Sequence, residues 1–140
     1  MKLLKQIRVF LLHARQDEDS VRRLYQRLIR EGANVWLDQE MLLPGQDWVH
    51  EIHKAIHSSD LVIACLSKRF HKQGGYRHEE LRIAIEKAAS LPLGSTFLIP
   101  ARLERCELPE ALGRWQCVDL FESHGYKKLI RVLKESTMIP

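Results

Sequence analysis

Six consecutive apolar residues, Leu61 to Leu66, constrain the fold more than any other feature of this sequence. A strand that faces water on one side alternates apolar and polar residues, whereas an unbroken apolar run is typical of a parallel strand covered on both faces. Segments that are mostly apolar, each with one polar residue, occur at 7–12, 34–37, 96–99 and 117–120. Segments with helical spacing lie between most of these runs and after the last one, so the sequence predicts an α/β fold with a parallel sheet.

The predicted helices are recognised by apolar residues that recur three and four positions apart. The first such stripe begins at Val21, with Asp17 as its expected N-cap and Gly32 as its expected end. Asp47 is expected to cap the second helix. Further stripes begin at Val49, Leu81 and Leu129, and the segments 67–75 and 100–116 are expected to be irregular apart from one helical turn at 110–112.

The composition fits one globular domain, expected to span residues 1–140 with its core at about 7–134. The three cysteines show no paired spacing, so neither a disulfide framework nor a zinc site is indicated, and a cytoplasmic protein is expected. No apolar stretch approaches the roughly 20 residues of a membrane span, so no membrane partner is predicted. The net charge of +4 arises from basic residues interspersed with acids, which argues against nucleic acid as a partner.

Four segments, in this order, resemble the Toll/interleukin-1 receptor (TIR) domain, and specifically its bacterial branch. They are VFLLHAR at 9–15, VWLD at 35–38 with LPGQDW at 43–48, SDLVIACLS at 59–67, and YRHEEL at 76–81. The resemblance covers about Ile7 to Leu133, which is nearly the whole chain. No segment is specific alone, and the specificity comes from all four in register.

The resemblance implies a flavodoxin-like, three-layer α/β sandwich whose five-stranded parallel sheet has the order 2-1-3-4-5. It also implies that the segment from Gln39 to Trp48 is a long loop through which the domain self-associates with other TIR domains. Many bacterial members cleave NAD between nicotinamide and ribose, using a glutamate in a pattern of Trp, three residues, then Glu. Here Tyr76 and Glu80 occupy those positions, so that an aromatic ring is kept in place of the tryptophan.

NAD is then a substrate and not a retained cofactor, and the resemblance makes Glu80 the expected catalytic residue of an NAD hydrolase. The products would be nicotinamide and ADP-ribose in linear or cyclic form, with a role in bacterial immune defence, against phage, or as an effector. The alternative is a scaffold TIR domain that assembles without turnover. His13 stands where the family usually has a tyrosine after the first strand, so this residue is expected to line the pocket differently.

The residues themselves indicate where a ligand would bind. In an open α/β sheet the ligand crevice lies outside the carboxyl ends of the strands, where the strand order reverses. For the order 2-1-3 this point lies between the first and third strands, so Arg15, Ser67 and Tyr76 are expected to converge on one cleft. Arg15 and the backbone N–H groups of the first helix would hold the pyrophosphate, and Asp38 and Trp48 would offer further contacts.

The two neighbouring glutamates also have a purely structural explanation. An acid in the first turn of a helix is favoured by the helix dipole, so neither Glu79 nor Glu80 requires a chemical role. Helical phase separates the two, because Glu80 shares a face with Tyr76 and Ala84 and Glu79 does not. If the chain is an enzyme, a carboxylate on the Glu80 face would stabilise the cation that forms on the ribose.

Two other kinds of site are disfavoured by the residues present. His50, His53 and His57 lie on one side of a helix, but no cysteine or carboxylate cluster accompanies them, so no metal is predicted. A phosphoacceptor receiver domain needs acids after the first strand and an aspartate at the end of the third to bind Mg²⁺. This chain has HAR at 13–15 and Leu-Ser at 66–67 in those places.

Overall fold

Strands and helices alternate along the chain. A computed structural model describes residues 7–37, 42–72 and 76–137, without the side chains of 71, 72, 76–78 and 137. The strands are β1 (Arg8–Leu12), β2 (Asn34–Trp36), β3 (Leu61–Leu66), β4 (Leu98–Arg102) and β5 (Val118–Asp119). The helices are α1 (Glu18–Arg30), α2 (Trp48–Ser58), α3 (Lys68–Lys72), α4 (Tyr76–Ser90) and α5 (Gly125–Thr137). Single 3₁₀ turns form at Arg15–Asp17 and Glu110–Leu112.

The five strands form one parallel sheet in the order β2-β1-β3-β4-β5, which confirms the predicted topology. The order reverses between β1 and β3, where residues Val9 to Leu12 pair with Leu61 to Ala64. Both edge strands are short, since β2 pairs over three residues and β5 over two. The carboxyl ends of β1 and β3 therefore lie side by side at the centre of the sheet.

Alternate residues of each strand enter two separate apolar layers. On β3, Ile63 and Cys65 pack with α1 and α5, whereas Val62 and Ala64 pack with α2 and α4. All six residues of β3 are buried, with Leu66 among the largest fully buried side chains. The unbroken apolar run in the sequence thus reflects a central strand with helices on both faces.

The fourth strand begins two residues later than predicted and contains Pro100. Leu103 donates its backbone N–H to Leu66 of β3, so Pro100, three residues earlier, directs its nitrogen toward the β5 side. Pairing with β5 starts only at Ala101. The missing N–H of the proline therefore costs no sheet hydrogen bond, and the expectation of an irregular chain was wrong for residues 100–102.

Two sequence signals at helix ends are confirmed, and one short helix was not predicted. Asp47 accepts hydrogen bonds from the backbone N–H groups of Val49 and His50 at 3.1 and 3.3 Å, so it caps α2 as predicted. Gly32 adopts a φ of 99° just after α1, which confirms it as the end of that helix. The five-residue helix α3 was not predicted, because the segment was expected to be a loop.

Within the ranges that the structure describes, no helix is long and apolar enough to cross a membrane.

Candidate functional site

The loops that leave β1 and β3 form the centre of the candidate site. The chain after β1 passes through His13 and Ala14 into the 3₁₀ turn at Arg15–Asp17, where Arg15 is exposed. The chain after β3 passes through Ser67 directly into α3. These loops lie at the point of strand reversal, so the structure brings Arg15 and Ser67 to the same edge of the sheet, as expected.

A buried side-chain pair ties these two loops together. The Ser67 hydroxyl donates a hydrogen bond to the carboxylate of Asp17 and accepts one from the backbone N–H of Phe70 at 3.2 Å. Both residues are buried, with 1 % of Ser67 and 7 % of Asp17 exposed. Asp17 occupies the predicted N-cap position of α1, but its side chain makes no capping hydrogen bond. Its carboxylate joins the other loop instead.

Arg69 of α3 also joins these two loops, from the side that faces solvent. Its guanidinium donates to the backbone carbonyl of Gln16 at 2.9 Å and lies 3.8 Å from the Asp17 carboxylate. Sequence reasoning missed Asp17 and Arg69 as parts of this site. The partners are about 50 residues apart in the chain, so only the strand order could have indicated that they meet.

His13 is the first residue after β1 and is buried, with 4 % exposed. Its ring nitrogen Nδ1 is 2.8 Å from the carbonyl oxygen of Ala14. A carbonyl only accepts hydrogen bonds, so Nδ1 carries a proton and donates. This contact fixes the orientation of the imidazole next to the expected pocket.

The two candidate glutamates at the start of α4 occupy opposite environments. Glu80 is buried, with 2 % exposed, and its neighbours Leu81 and Ala84 belong to the apolar layer beneath α4. Glu79 is exposed and accepts a hydrogen bond from Nε of Arg82 at 3.1 Å. Hydrogen bonding from Arg82 lowers the pKa of the Glu79 carboxyl below its usual value. The helical phase read from the sequence therefore separates a buried carboxylate from a solvated one.

Helix α4 places Glu80 in the layer that faces β1. The helix lies against α2, β1 and β4, and the same apolar layer contains Phe10, Leu12 and Ala14 from β1 and the residues after it. Tyr76 is the first residue of α4, but its side chain is outside the described part of the structure. Asp38 also lies outside the described residues.

Trp48 is the last residue of the predicted self-association loop and the first residue of α2, and 37 % of its surface is exposed. Before it, the Gln46 side chain accepts a hydrogen bond from the Leu43 backbone N–H at 2.7 Å, and Gly45 adopts a φ of 90°. Leu43 is 68 % exposed and Val49 is 44 % exposed. Residues 42–49, which comprise the described end of this loop and the start of α2, thus present several apolar side chains to solvent.

The histidines of α2 form no metal centre of the usual kind. The rings of His53 and His57 are 6.5 Å apart between centroids. Among the described residues, no group of three His, Cys, Asp or Glu side chains has the arrangement that a metal ion requires.

A cavity of about 680 Å³ lies at the opposite end of the sheet. It is lined by Thr96 before β4, Trp115 and Cys117 before β5, and Val132 of α5. It is remote from the junction at the carboxyl ends of β1 and β3. Position in the fold and the burial of Glu80, not cavity size, therefore locate the candidate site.

The chain matches a known family over most of its length. The family model described as the TIR domain matches residues 9–132. A curated relative, the uncharacterized protein y4cD of Sinorhizobium fredii, is 28% identical over 134 residues. The match covers 94% of this chain but 21% of that protein, so the chain spans about a fifth of its length.

Solved structures share the fold at lower sequence identity. The TIR domain of the Toll-related receptor TRR-2 from Hydra magnipapillata has a TM-score of 0.75 and 21% identity, covering 90% of this chain and 97% of that one. The TIR domains of the activated Roq1 resistosome give 0.73 and 19%, covering 93% and 99%. The CMP N-glycosidase BcmB of Clostridium botulinum gives 0.56 and 19%, covering 89% and 98%.

Proposed function

The chain belongs to the TIR domain family, and from this membership we propose that it hydrolyses NAD at the bond between nicotinamide and ribose, with Glu80 as the catalytic carboxylate. The observation that carries the proposal is the burial of Glu80. A glutamate that only favours a helix start is best placed in water, as Glu79 is. Burying a carboxylate costs free energy, so its presence under α4 is typical of a functional group and not of a solvated helix face.

The proposed reaction needs negative charge next to the ribose. The bond from the nicotinamide nitrogen to C1′ breaks, its electron pair remains on nicotinamide, and an oxocarbenium-like cation forms on the ribose. The Glu80 carboxylate stabilises that cation more strongly in a site shielded from water than it would in solution. Water then adds to C1′ and releases a proton, which gives ADP-ribose. Attack by the adenine instead of water would give the cyclic product.

Residues of the loops after β1 and β3 are proposed to bind the rest of NAD. Arg15 is exposed at the edge of the sheet and suits the pyrophosphate. The N-terminus of α1 is a poor second anion site, because Glu18 and Asp19 occupy its first turn. His13 and Ser67 shape the floor of the pocket, while Tyr76, Asp38 and Trp48 remain predicted contacts.

Self-association is proposed to accompany turnover. Since Glu80 is 2 % exposed, NAD reaches it only when segments around it move. The exposed apolar side chains of residues 42–49 give a second copy of the chain a surface to bind, and that contact would supply the rearrangement. If this contact is head-to-tail and the rotation between copies does not close a ring, it can extend into filaments.

The same loop also supports the second candidate function, a scaffold that assembles without chemistry. Its exposed apolar side chains are required by both functions. The fold itself is compatible with the enzyme, since BcmB, which shares it, is an N-glycosidase. The presence of a buried carboxylate favours the enzyme.

Nicotinamide release by the purified chain tests the proposal, with Glu80→Gln and Glu79→Gln compared at equal concentration. We expect Glu80→Gln to reduce release by roughly a hundredfold or more, because it removes the charge and keeps the shape. Glu79→Gln is the matched control and should retain most of the activity. Equal activity in both variants would remove Glu80 from the mechanism. A wild type that releases no nicotinamide at any concentration, even with a crowding agent, would leave the scaffold function.

The dependence on protein concentration tests the role of the loop. We expect activity to rise more steeply than linearly, and Gly45→Val to weaken both assembly and turnover, because a β-branched residue does not adopt a φ of 90° without strain. Gly94→Val is the control, since Gly94 has a φ of 88° in an unrelated loop. A linear dependence with a monomer as the active species would contradict self-association.

A further inference from the structure

The fold divides the charge of the chain unevenly between its two helical layers. Helix α1 contains four arginines and two acids, and α5 contains three lysines, one arginine and one glutamate. These two helices pack on the same face of the sheet and together carry +5, whereas the whole chain carries +4. Helices α2 and α4, on the other face, are each neutral when histidine is uncharged. The short helix α3, whose Phe70 packs in that other layer, carries +3, so the layer of α1 and α5 is the more positive of the two.

The exposed bases of this layer form two rows with the same spacing. On α1 the row is Arg23, Arg27 and Arg30; on α5 it is Lys127, Arg131 and Lys134, and all six residues are exposed. Steps of four and three residues keep each row on one helical face. Each row spans about 10 Å at the helical rise of 1.5 Å per residue.

The two rows are held side by side. The guanidinium of Arg27 stacks on the ring of Tyr126 from α5, 3.4 Å from the ring centroid. A depression of about 430 Å³ lies beside Tyr126 and Ile130 and is bordered by Lys127 and Arg131. Glu31 and Glu135 are the acids at its border, and Glu135 pairs with Arg131. The bases outnumber these acids, so this surface remains positive.

We propose that this surface, the six bases on α1 and α5, binds the phosphate backbone of nucleic acid without reading its sequence. Duplex DNA carries one negative charge per about 1.7 Å of its axis, so a row of about 10 Å faces several phosphates at once. Two parallel rows of bases are complementary to an extended polyanion, whereas an isolated acidic group would contact only part of them. The inference is independent of NAD cleavage.

The surface fits nucleic acid better than a lipid membrane. Binding in a membrane interface requires large apolar side chains beside the basic ones. On this surface Ile29, at 42 % exposed, is the large apolar residue that the described structure presents to solvent. Leu43, Trp48 and Leu93, which are also exposed, lie outside α1 and α5.

Fluorescence anisotropy with a labelled 20-base-pair DNA duplex and a 20-nucleotide RNA tests the proposal. We expect binding at 50 mM salt that weakens roughly a hundred- to a thousandfold at 200 mM, as four to six phosphate contacts require. The double variant Arg30→Glu with Lys127→Glu removes one base from each row and leaves the Arg27 stack on Tyr126 in place. It should weaken binding at least tenfold and reduce the salt slope by about 2.

The control is Lys54→Glu with Arg114→Glu, which makes the same charge change at exposed positions outside the two helices. It should bind nearly as the wild type does. Equal losses in the two double variants would show that net charge alone acts, and would overturn the assigned surface. Absence of binding at 50 mM salt would overturn it as well. Binding to phosphatidylserine vesicles, with no binding to either nucleic acid, would replace it with a membrane contact.

Discussion

Replacing Gly125 with alanine tests how closely α5 must approach the sheet. A Cβ atom at this position would lie 1.9 Å from the carbonyl oxygen of Asp119 and 3.1 Å from the Cα of Leu120. Cβ atoms essentially never come within 3.0 Å of a heavy atom outside their own and the adjacent residues, so the start of α5 would have to move by about 1 Å. The obstructing atoms are backbone, which cannot rotate away. Helix α5 supplies Leu129 and Leu133 to the core, so the shift disturbs packing beyond the contact itself.

We expect Gly125→Ala to destabilise the fold by about 3 kcal/mol, at the upper end of the usual cost of overpacking. For a domain of this length that corresponds to a fall in melting temperature of roughly 10 °C. Thermal and urea denaturation followed by circular dichroism measure it, and the urea slope shows whether unfolding remains two-state.

Gly94→Ala separates the contact from the backbone conformation. Gly94 has a φ of 88°, and no heavy atom lies within 4 Å of the place that a Cβ atom would take, so alanine meets strain but no clash. The expected loss is about 1 kcal/mol. If Gly125→Ala melts within about 2 °C of the wild type, the close approach does not constrain α5. If Gly94→Ala loses as much as Gly125→Ala, the reasoning from contact distance fails.

Three further predictions concern single contacts and are checked by chemical denaturation. Ser67→Ala should cost about 2 kcal/mol, because it leaves the buried Asp17 carboxylate without its hydroxyl donor. Arg102 holds the pKa of Asp119 below its usual value, so the pair stabilises the fold above about pH 4 and this contribution is lost as the pH falls further. Arg102→Met should therefore cost about 1 kcal/mol at pH 7, and the difference from the wild type should shrink below pH 4. Asp47→Ala should cost about 1 kcal/mol through loss of the α2 cap, and a loss below 0.3 kcal/mol would contradict that role.

The sheet was predictable because its pattern is local. Burial on both faces of β3 leaves no polar position between Leu61 and Leu66, and this signal needs no knowledge of the partners. The ends of β4 were harder to predict. A proline fits at position 100 only because β5 begins to pair one residue later. That register is a tertiary property and leaves no mark in the segment itself.

The candidate site was predictable only in part, for the same reason. Helical phase distinguished Glu80 from Glu79, because the two faces of one helix are encoded within a few residues. The junction of Asp17, Ser67 and Arg69 joins loops about 50 residues apart, so it depends on the strand order. A short polar residue before a helix predicts a cap, and the capping propensity of Asp17 concealed its long-range contact.

The distribution of charged residues over the surface also depends on the fold and was not predictable from the sequence. Along the sequence the bases are interspersed with acids, which argued against nucleic acid as a partner. In the fold, α1 and α5 come from opposite ends of the chain and share one layer. The bases of these two helices therefore come together on a surface with a positive net charge, and this could be found only after the layers were known.

The short edge strands affect how copies of the chain can meet. A long open edge offers a row of backbone N–H and C=O groups to which another chain adds as a strand, and repeated addition yields fibrils. Here β2 pairs over three residues and β5 over two, so little such template is available at either margin. A long open edge would allow fibril growth at the high protein concentrations that the proposed self-association requires. With edges this short, the proposed association would depend on side-chain surfaces and not on the addition of strands.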